Sequence, residues 1–237
     1  MDYSSAAKLR IMRYPHTKPR GWQASGRLHP QLGKEKSLLT KLKIAQSVSL
    51  QPSIGQTRDF CCLLGIIWGD GTIYSHSKNG SHCLRICCGL DETLADECVG
   101  LLQKIGLHPH KHLDDYFVKR HPTWKPIWGV TVYSKKFVEW LRELSLSKLQ
   151  PYLDDGLVKA FWQGMYKAEG YLALQRGRRS LYIANTNKEL TEWGAKALSE
   201  LGFHPKLYIV IQRKYPNWKP LYRIALLRQA EIEEFLR

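Results

Sequence analysis

The sequence lacks any run of apolar residues near the ~18 that a membrane span requires, and its N-terminus lacks the apolar stretch of a secretory signal. Acids are also scarce, since 21 Asp and Glu stand against 36 Lys and Arg among 237 residues, a net charge of +15. The lack of apolar runs predicts that the protein has no membrane partner. The excess of positive charge predicts a polyanionic partner, and nucleic acid is the commonest polyanion inside cells. The alternatives are a basic protein without such a partner and, because the N-terminus is acid-poor, a transit peptide.

Cysteines occur without the C-x-x-C spacing that is usual for zinc ligands. All six lie within 38 residues, and four of them form two adjacent pairs. Adjacent cysteines in apolar surroundings more often behave as small core residues than as ligands. We therefore expect reduced thiols and an intracellular protein, in the cytoplasm or nucleoid. The residues are Cys61, Cys62, Cys83, Cys87, Cys88 and Cys98.

Two five-residue segments recur in the same order in the second half of the chain. Residues 105–109 (Ile-Gly-Leu-His-Pro) recur at 201–205 (Leu-Gly-Phe-His-Pro), and residues 122–126 (Pro-Thr-Trp-Lys-Pro) recur at 216–220 (Pro-Asn-Trp-Lys-Pro). Similar amphipathic patterns flank both copies. The recurrence indicates a tandem duplication of a unit of roughly 95 residues.

Each half shows the same order of predicted elements. A helix is followed by two short strands around a turn, an amphipathic helix ending at Gly106 or Gly202, a second strand pair and a last helix. Because hairpins rather than crossovers join the strands, this α-β-β-α-β-β-α unit, present twice, predicts an α+β fold. We assign residues 1–57 to a basic N-terminal extension, 58–150 to the first repeat and 151–237 to the second.

The first helix of each half ends in the same pattern of small residues and one acid. Residues 63–71 read Leu-Leu-Gly-Ile-Ile-Trp-Gly-Asp-Gly, and residues 162–170 read Trp-Gln-Gly-Met-Tyr-Lys-Ala-Glu-Gly. Small residues four apart lie on one helix face and let two backbones approach closely. The two helices are therefore predicted to pack together, with Asp70 and Glu169 side by side at their ends. The small residues are Gly65, Gly69, Gly164 and Ala168.

Two carboxylates in these positions repel each other and the negative ends of their helix dipoles. A hard divalent cation relieves both repulsions, and Mg²⁺ prefers carboxylate, carbonyl and water oxygens. The alternative for either motif alone is a solvated acid in a helix-to-strand turn, where Asp-Gly and Glu-Gly are common. Because the acids recur at matching places of a duplicated unit, we predict a paired-acid metal site at Asp70 and Glu169.

The two motifs resemble those of the LAGLIDADG homing endonucleases in their monomeric two-repeat form, and the resemblance covers about residues 57–237. It implies a saddle of two four-stranded antiparallel sheets along the major groove of double-stranded DNA, with the acids under the central minor groove. It also implies metal ligation by Asp70, Glu169 and the backbone carbonyls of Gly69 and Ala168. The implied cofactor is Mg²⁺ or Mn²⁺, with Ca²⁺ binding but not supporting cleavage, and the implied products have short 3′ overhangs.

Departures from the family pattern concern the surroundings of the acids. Trp68 and Lys167 replace the first acid of the motif, a position that is often variable. The second strand of the first half ends in residues 88–90 (Cys-Gly-Leu), where members often carry Gln or Lys, and the second half has residues 185–187 (Asn-Thr-Asn). A basic residue after the last helix often supports catalysis, and Lys148 is its best match, whereas the second half has no equivalent.

Period-2 alternation along the strands predicts which side chains would face DNA. In the first half these are Tyr74, His76, Lys78 and Arg85. In the second half alternation gives Gln175, Ser180 and Tyr182, and Arg176, Arg178 and Arg179 are added as candidates because they crowd the hairpin tip. Arg and Gln can read base edges, whereas Lys more often contacts phosphate.

Histidines and tryptophans offer two further candidate sites. Three histidines alternate along a predicted strand and could bind zinc, but Lys206 and Tyr208 replace two of them in the second half, which favours a solvent- or DNA-facing strand. Trp124 and Trp218 could stack on bases or, because prolines flank them, pin a turn. The histidines are His108, His110 and His112.

The sequence therefore predicts a monomeric, metal-dependent, site-specific DNA endonuclease whose unlike halves read unlike half-sites. The resemblance implies an origin within an intron or intein, and residue usage favours an archaeal host over an AT-rich organellar genome. The alternative is a binding protein on the same fold, either a maturase acting on intron RNA or a non-catalytic DNA-binding protein. Retention of both acids argues against that alternative, because a pure binder does not need paired negative charge.

The N-terminal extension, residues 1–57, holds ten Lys or Arg and two acids. Pro and Gly interrupt its first half, and residues 34–46 form a predicted helix with a narrow apolar face. We expect this helix to dock on the endonuclease body and the basic arm before it to contact DNA phosphates beyond the saddle. A solvated, poorly ordered tail is the alternative.

Overall fold

The computed structural model describes residues 55–76, 81–114, 123, 125–153, 155–175, 177–211 and 219–237. The predictions on residues 1–54, Lys78, Trp124, Arg176 and Trp218 lie outside the described residues. No helix in the described ranges is long and apolar enough to cross a membrane.

Two tandem series of helices and strands make up the described chain. The first comprises α1 (Arg58–Asp70), β1 (Gly71–His76), β2 (Ser81–Gly89), α2 (Glu92–Lys104), β3 (His110–Asp114), β4 (Ile127–Tyr133), α3 (Lys135–Glu143) and α4 (Leu146–Tyr152). The second comprises α5 (Asp155–Glu169), β5 (Gly170–Gln175), β6 (Arg178–Asn185), α6 (Lys188–Glu200), β7 (Lys206–Val210), β8 (Leu221–Leu226) and α7 (Gln229–Leu236). The short helix α4 was not predicted, and the predicted boundary after residue 150 falls inside it.

Capping side chains explain where several helices begin. The Thr57 hydroxyl accepts a hydrogen bond of 3.2 Å from the backbone N–H of Phe60 and so caps α1. A carboxylate, a hydroxyl and a side-chain amide cap α2, α3 and α6 in the same way, from Asp91, Ser134 and Asn187. Each cap satisfies a backbone donor that the helix itself leaves unpaired. These starts are therefore set by local sequence.

Each series forms one antiparallel sheet of four strands, in the orders β1-β2-β4-β3 and β5-β6-β8-β7. The α+β prediction is confirmed, because antiparallel hairpins build both sheets and the helices cover one face of each. Gly106 and Gly202 follow α2 and α6 with φ of 81° and 88°. This left-handed backbone favours glycine and explains why the residue recurs in both repeats.

Helices α1 and α5 pack directly against each other along their small residues. A Cβ placed on Gly65 would overlap the carbonyl oxygen of Phe161, and one placed on Gly164 would overlap the carbonyl oxygen of Cys62. The two backbones therefore touch, as the spacing of small residues predicted. Buried side chains of both repeats form a single hydrophobic cluster around this pair of helices. The repeats share one core, so the ends of α1 and α5 are held at a fixed separation.

Replacing Gly164 by Ala is expected to lower the free energy of unfolding by about 3 kcal/mol, because the methyl group fits only if two helix backbones separate. Gly100→Ala is the matched control, since Gly100 lies inside α2 and a Cβ there would meet no atom within 4 Å. The control should gain up to about 1 kcal/mol from helix propensity. Urea unfolding measures both, and equal stabilities of the two variants would contradict the direct contact of the helices.

Candidate metal and nucleic-acid site

The last residues of α1 and α5 bring the two predicted acids together. Asp70 ends α1 and Glu169 ends α5. A Cβ placed on Gly69 would lie 2.5 Å from the Cβ of Ala168 and 3.1 Å from the Cγ of Glu169. The helices are thus still in contact at their final turn, one residue before Asp70. This close approach places both carboxyl groups at the same end of the helix pair.

Burial makes both carboxyl groups reluctant to ionise. It raises the pKa of Asp70 to about 6. Burial and, second, the negative charge of Asp70 raise the pKa of Glu169 to about 7. Among the described residues, neither carboxylate has a hydrogen bond or an ion pair that would offset its desolvation. Paired acids with raised pKa values and no cationic partner are typical of functional sites.

The donor set at this end of the helices fits a hard divalent cation. The last carbonyls of an α-helix have no intrahelical donor, so those of Gly69 and Ala168 are available beside the two carboxylates. The described part of the chain holds no group of three or more His, Cys, Asp or Glu suited to a metal. Ligation would therefore use two carboxylates and backbone carbonyls. That number suits Mg²⁺, which keeps several waters and commonly adds phosphate oxygens of a substrate.

In the first sheet, strand register places several predicted side chains on the face opposite the helices. Tyr74 lies opposite Cys83, and Arg85 opposite Thr72, on the same side of the sheet. In the same register, His76 pairs with Ser81. Arg85, however, forms an ion pair with Asp114 of the edge strand β3, and the pair is mostly shielded from solvent. Its guanidinium is therefore engaged within the protein, which the sequence did not indicate.

In the second sheet, register again separates the predicted residues into two sets. Arg178, Ser180 and Tyr182 share the face opposite the helices, and Gln175 is the strand partner of Arg178. Arg179 lies on the helix-covered side, where it donates hydrogen bonds of 2.7 Å to Glu233 and 3.2 Å to Gln229 of α7. The placement of Arg179 among DNA-facing residues is therefore wrong, because alternation gives neighbouring residues opposite faces.

The structure does not bring Lys148 to the acids. Lys148 belongs to α4, whose Tyr152 packs edge-on against Phe60 near the start of α1, with ring centroids 6.4 Å apart. Asp70 lies at the other end of α1, ten residues beyond Phe60, a distance of roughly 15 Å along a helix axis. The predicted catalytic role of Lys148 is therefore not supported, because α4 lies at the opposite end of α1.

Two side-chain stacks were not predicted from the sequence. The imidazole rings of His110 and His112 stack 5.8 Å apart on β3, on the side of the sheet that carries Arg85. In the second sheet, Arg223 of β8 lies over Tyr171 and Tyr182. The register matches Arg223 to Gly129 of the first sheet, so comparison of the two repeats gave no side chain that would have marked this position.

The structure thus has the features of a duplicated α+β protein with paired acids at the junction of its repeats. Residues 156–237 match the family model described as a LAGLIDADG-like domain. I-DmoI in complex with DNA and Mn matches the chain with a TM-score of 0.55 and 20% identity, over 76% of this chain and 94% of that one. The resemblance found in the sequence is confirmed: residues 156–237 match a LAGLIDADG-like domain, and the two four-stranded sheets with their helices match the LAGLIDADG fold of I-DmoI.

Other relatives share this fold or sequence. Full-length WhiA from Thermotoga maritima matches with a TM-score of 0.53 and 16% identity, over 82% of this chain and 59% of that one. Two uncharacterized proteins of Methanocaldococcus jannaschii are 24% and 26% identical over 74% and 73% of this chain, and 65% and 63% of their own. A DNA polymerase of Thermococcus sp. is 26% identical over 74% of this chain. The match covers 10% of that polymerase, so the chain spans less than two thirds of these relatives.

Proposed function

We propose that the protein is a site-specific endonuclease for double-stranded DNA that uses a divalent metal at Asp70 and Glu169. The observation that carries the proposal is the pair of half-buried carboxyl groups without a cationic partner among the described residues, held at the touching ends of α1 and α5. Such a pair costs folding free energy. A divalent metal ion held by the two carboxylates would offset this cost and would polarise a phosphodiester.

The fold of the matched structures supports the same proposal. I-DmoI has been solved with DNA together with Mn and with Ca, and a variant of it with target DNA and Mg. For this chain we expect Mg²⁺ or Mn²⁺ to support cleavage and Ca²⁺ to bind without supporting it. When bound, the metal would activate a water and stabilise the leaving oxygen of the phosphodiester. Asp70, Glu169 and the carbonyls of Gly69 and Ala168 would hold it.

The protein's own residues would position the duplex. The direct contact of α1 and α5 fixes the separation of the two carboxyl groups. Each acid would therefore act on one strand of the DNA duplex. The sheet faces opposite the helices carry the polar residues that would contact the grooves, and they differ between repeats. Arg85 and Thr72 of the first sheet stand where the second has Tyr182 and Tyr171. We therefore expect a target of two unlike half-sites bound by a single protein molecule.

Cleavage of a pool of duplexes with a randomised central segment tests the proposal and identifies the target sequence in the same experiment. The full chain with Mg²⁺ should cut a small set of related sequences on both strands, and sequencing of the ends should give short 3′ overhangs. A control without divalent metal should leave the pool intact. Random cutting, or cutting that persists in chelator, would contradict the proposal.

The second candidate is a binding protein on the same fold, acting on DNA or on intron RNA without cleavage. It has one observation in its favour, namely that the end of β2 offers the buried Cys88 rather than a basic side chain beside the acids. The same chain with Mg²⁺, intron RNA and duplex DNA in parallel separates the candidates. Splicing or binding without any DNA cut would favour the binding protein.

A further inference from the structure

An arginine on the second sheet is held in a stack of aromatic rings. The guanidinium carbon of Arg223 lies 5.2 Å from the ring centroid of Tyr182 and 5.6 Å from that of Tyr171. The two tyrosine rings themselves stack with centroids 5.0 Å apart and planes at 27°. Tyr171 faces Tyr182 across β5 and β6, and Arg223 lies on the neighbouring strand β8. The stack therefore occupies the face opposite the helices.

This arginine has no acidic partner within the described residues. Its Nε is buried and has no hydrogen-bond acceptor. Its neighbours on the flanking strands are Ala184 and Tyr208, neither of which carries a charge. The contrast with the first sheet is direct, because Arg85 is neutralised there by Asp114. Of these two arginines, only Arg223 keeps a positive charge that nothing in the described chain neutralises.

A stacked guanidinium of this kind suits one ligand chemistry in particular. Contact with aromatic rings orients the planar fork in advance, so little rotamer entropy is lost when its hydrogen bonds form. An arginine fork donates two parallel hydrogen bonds, and the O6 and N7 atoms of guanine accept them in the major groove. Arg223 also lies on an inner strand of its sheet, whereas an edge strand such as β7 would lie nearer the phosphates.

We propose that Arg223 is a specificity-determining residue that donates two hydrogen bonds to O6 and N7 of a guanine in the half-site bound by the second sheet. The inference rests on the proposed function. Tyr171 and Tyr182 position the guanidinium. Because Tyr171 follows Glu169 by two residues, the guanine belongs to the inner part of its half-site. Arg85 makes no equivalent contact, so the half-sites differ in this feature.

Selection of duplexes by binding tests the contact. The full chain with Asp70→Asn and Glu169→Gln, which cannot cut, is bound to a randomised duplex pool, and bound sequences define the preference at each position. In this background Arg223→Lys keeps the charge but loses the planar fork. We expect the preference for guanine at one position to fall at least fivefold, with other positions and the salt dependence unchanged. The control is Arg142→Lys, since Arg142 is an exposed residue of α3, on the helix-covered side of the first sheet. This variant should retain the full preference for guanine.

Two results would overturn the assignment. In the first, Arg223→Lys retains the guanine preference. In the second, Arg223→Met weakens binding to all sequences equally and reduces the slope of binding affinity against salt concentration by about one, which indicates a phosphate contact instead. Circular dichroism and thermal unfolding confirm that each variant is folded. If the parent protein selects no sequence at all, the proposed function fails and the guanine contact fails with it.

Discussion

Replacing Asp70 by Asn is expected to reduce DNA cleavage ~10³-fold or more and, in the absence of metal, to raise the free energy of unfolding. The first effect follows because the amide carries no negative charge with which to hold a divalent cation. The second follows because the neutral amide removes a half-buried charge and its repulsion of Glu169. The raised pKa of Asp70, about 6, indicates a gain of about 1–2 kcal/mol at pH 8 after allowance for its partial exposure.

The two effects are measured on the same protein with different readouts. Cleavage is assayed on duplexes selected by the parent protein, and stability by urea unfolding in chelator at pH 8. Glu143→Gln is the matched control, since Glu143 also ends a helix, α3, but is exposed and lies away from the paired acids. It should change neither quantity appreciably. Cleavage within tenfold of the parent protein, or a loss of stability in Asp70→Asn, would contradict a metal site built on unfavourable charge.

Fold and acid pairing were both predictable because they rest on local patterns that occur twice. Small residues four apart let two helix backbones approach closely, and Gly65 and Gly164 make that contact. The left-handed backbone after α2 and α6 favours glycine, so Gly106 and Gly202 mark the helix ends. Duplication supplied the remaining constraint, since two acids at matching positions must meet if the two helices do.

The predictions that the structure corrects depend on contacts between strands and helices that are far apart in the sequence. Arg179 was placed on the wrong face because a hairpin tip of consecutive arginines gives no alternation to fix its register. Lys148 was misplaced because the direction in which α4 leaves α3 depends on its packing near Phe60, far along the chain. The neutralisation of Arg85 requires Asp114, 29 residues away and two strands across the sheet. Only the assembled sheet brings these partners together.

Stability in the absence of metal is expected to fall as pH rises from about 4 to about 7, through the titration of Asp70 and Glu169. Their folded pKa values, about 6 and about 7, lie above the ordinary values of 3.8 and 4.5. Between these limits the folded state keeps protons that the unfolded chain releases. The stabilisation is therefore complete below pH 4 and is lost as pH rises through the folded pKa values. The loss should amount to about 1–2 kcal/mol for each carboxyl group after allowance for partial exposure.

Magnesium should reverse this loss only where the carboxyl groups are ionised. Because Mg²⁺ competes with protons, it should stabilise the protein at pH 8 and have little effect at pH 5. The variant with Asp70→Asn and Glu169→Gln isolates these two groups, since every other titrating residue is common to both proteins and cancels in the difference. Urea unfolding from pH 4 to pH 8, with and without excess MgCl₂, gives the unfolding free energy of the parent protein minus that of the variant at each pH. In chelator this difference should fall as pH rises. A difference that stays constant with pH, or that rises with pH in chelator, would show that both acids are fully solvated and do not form a desolvated pair.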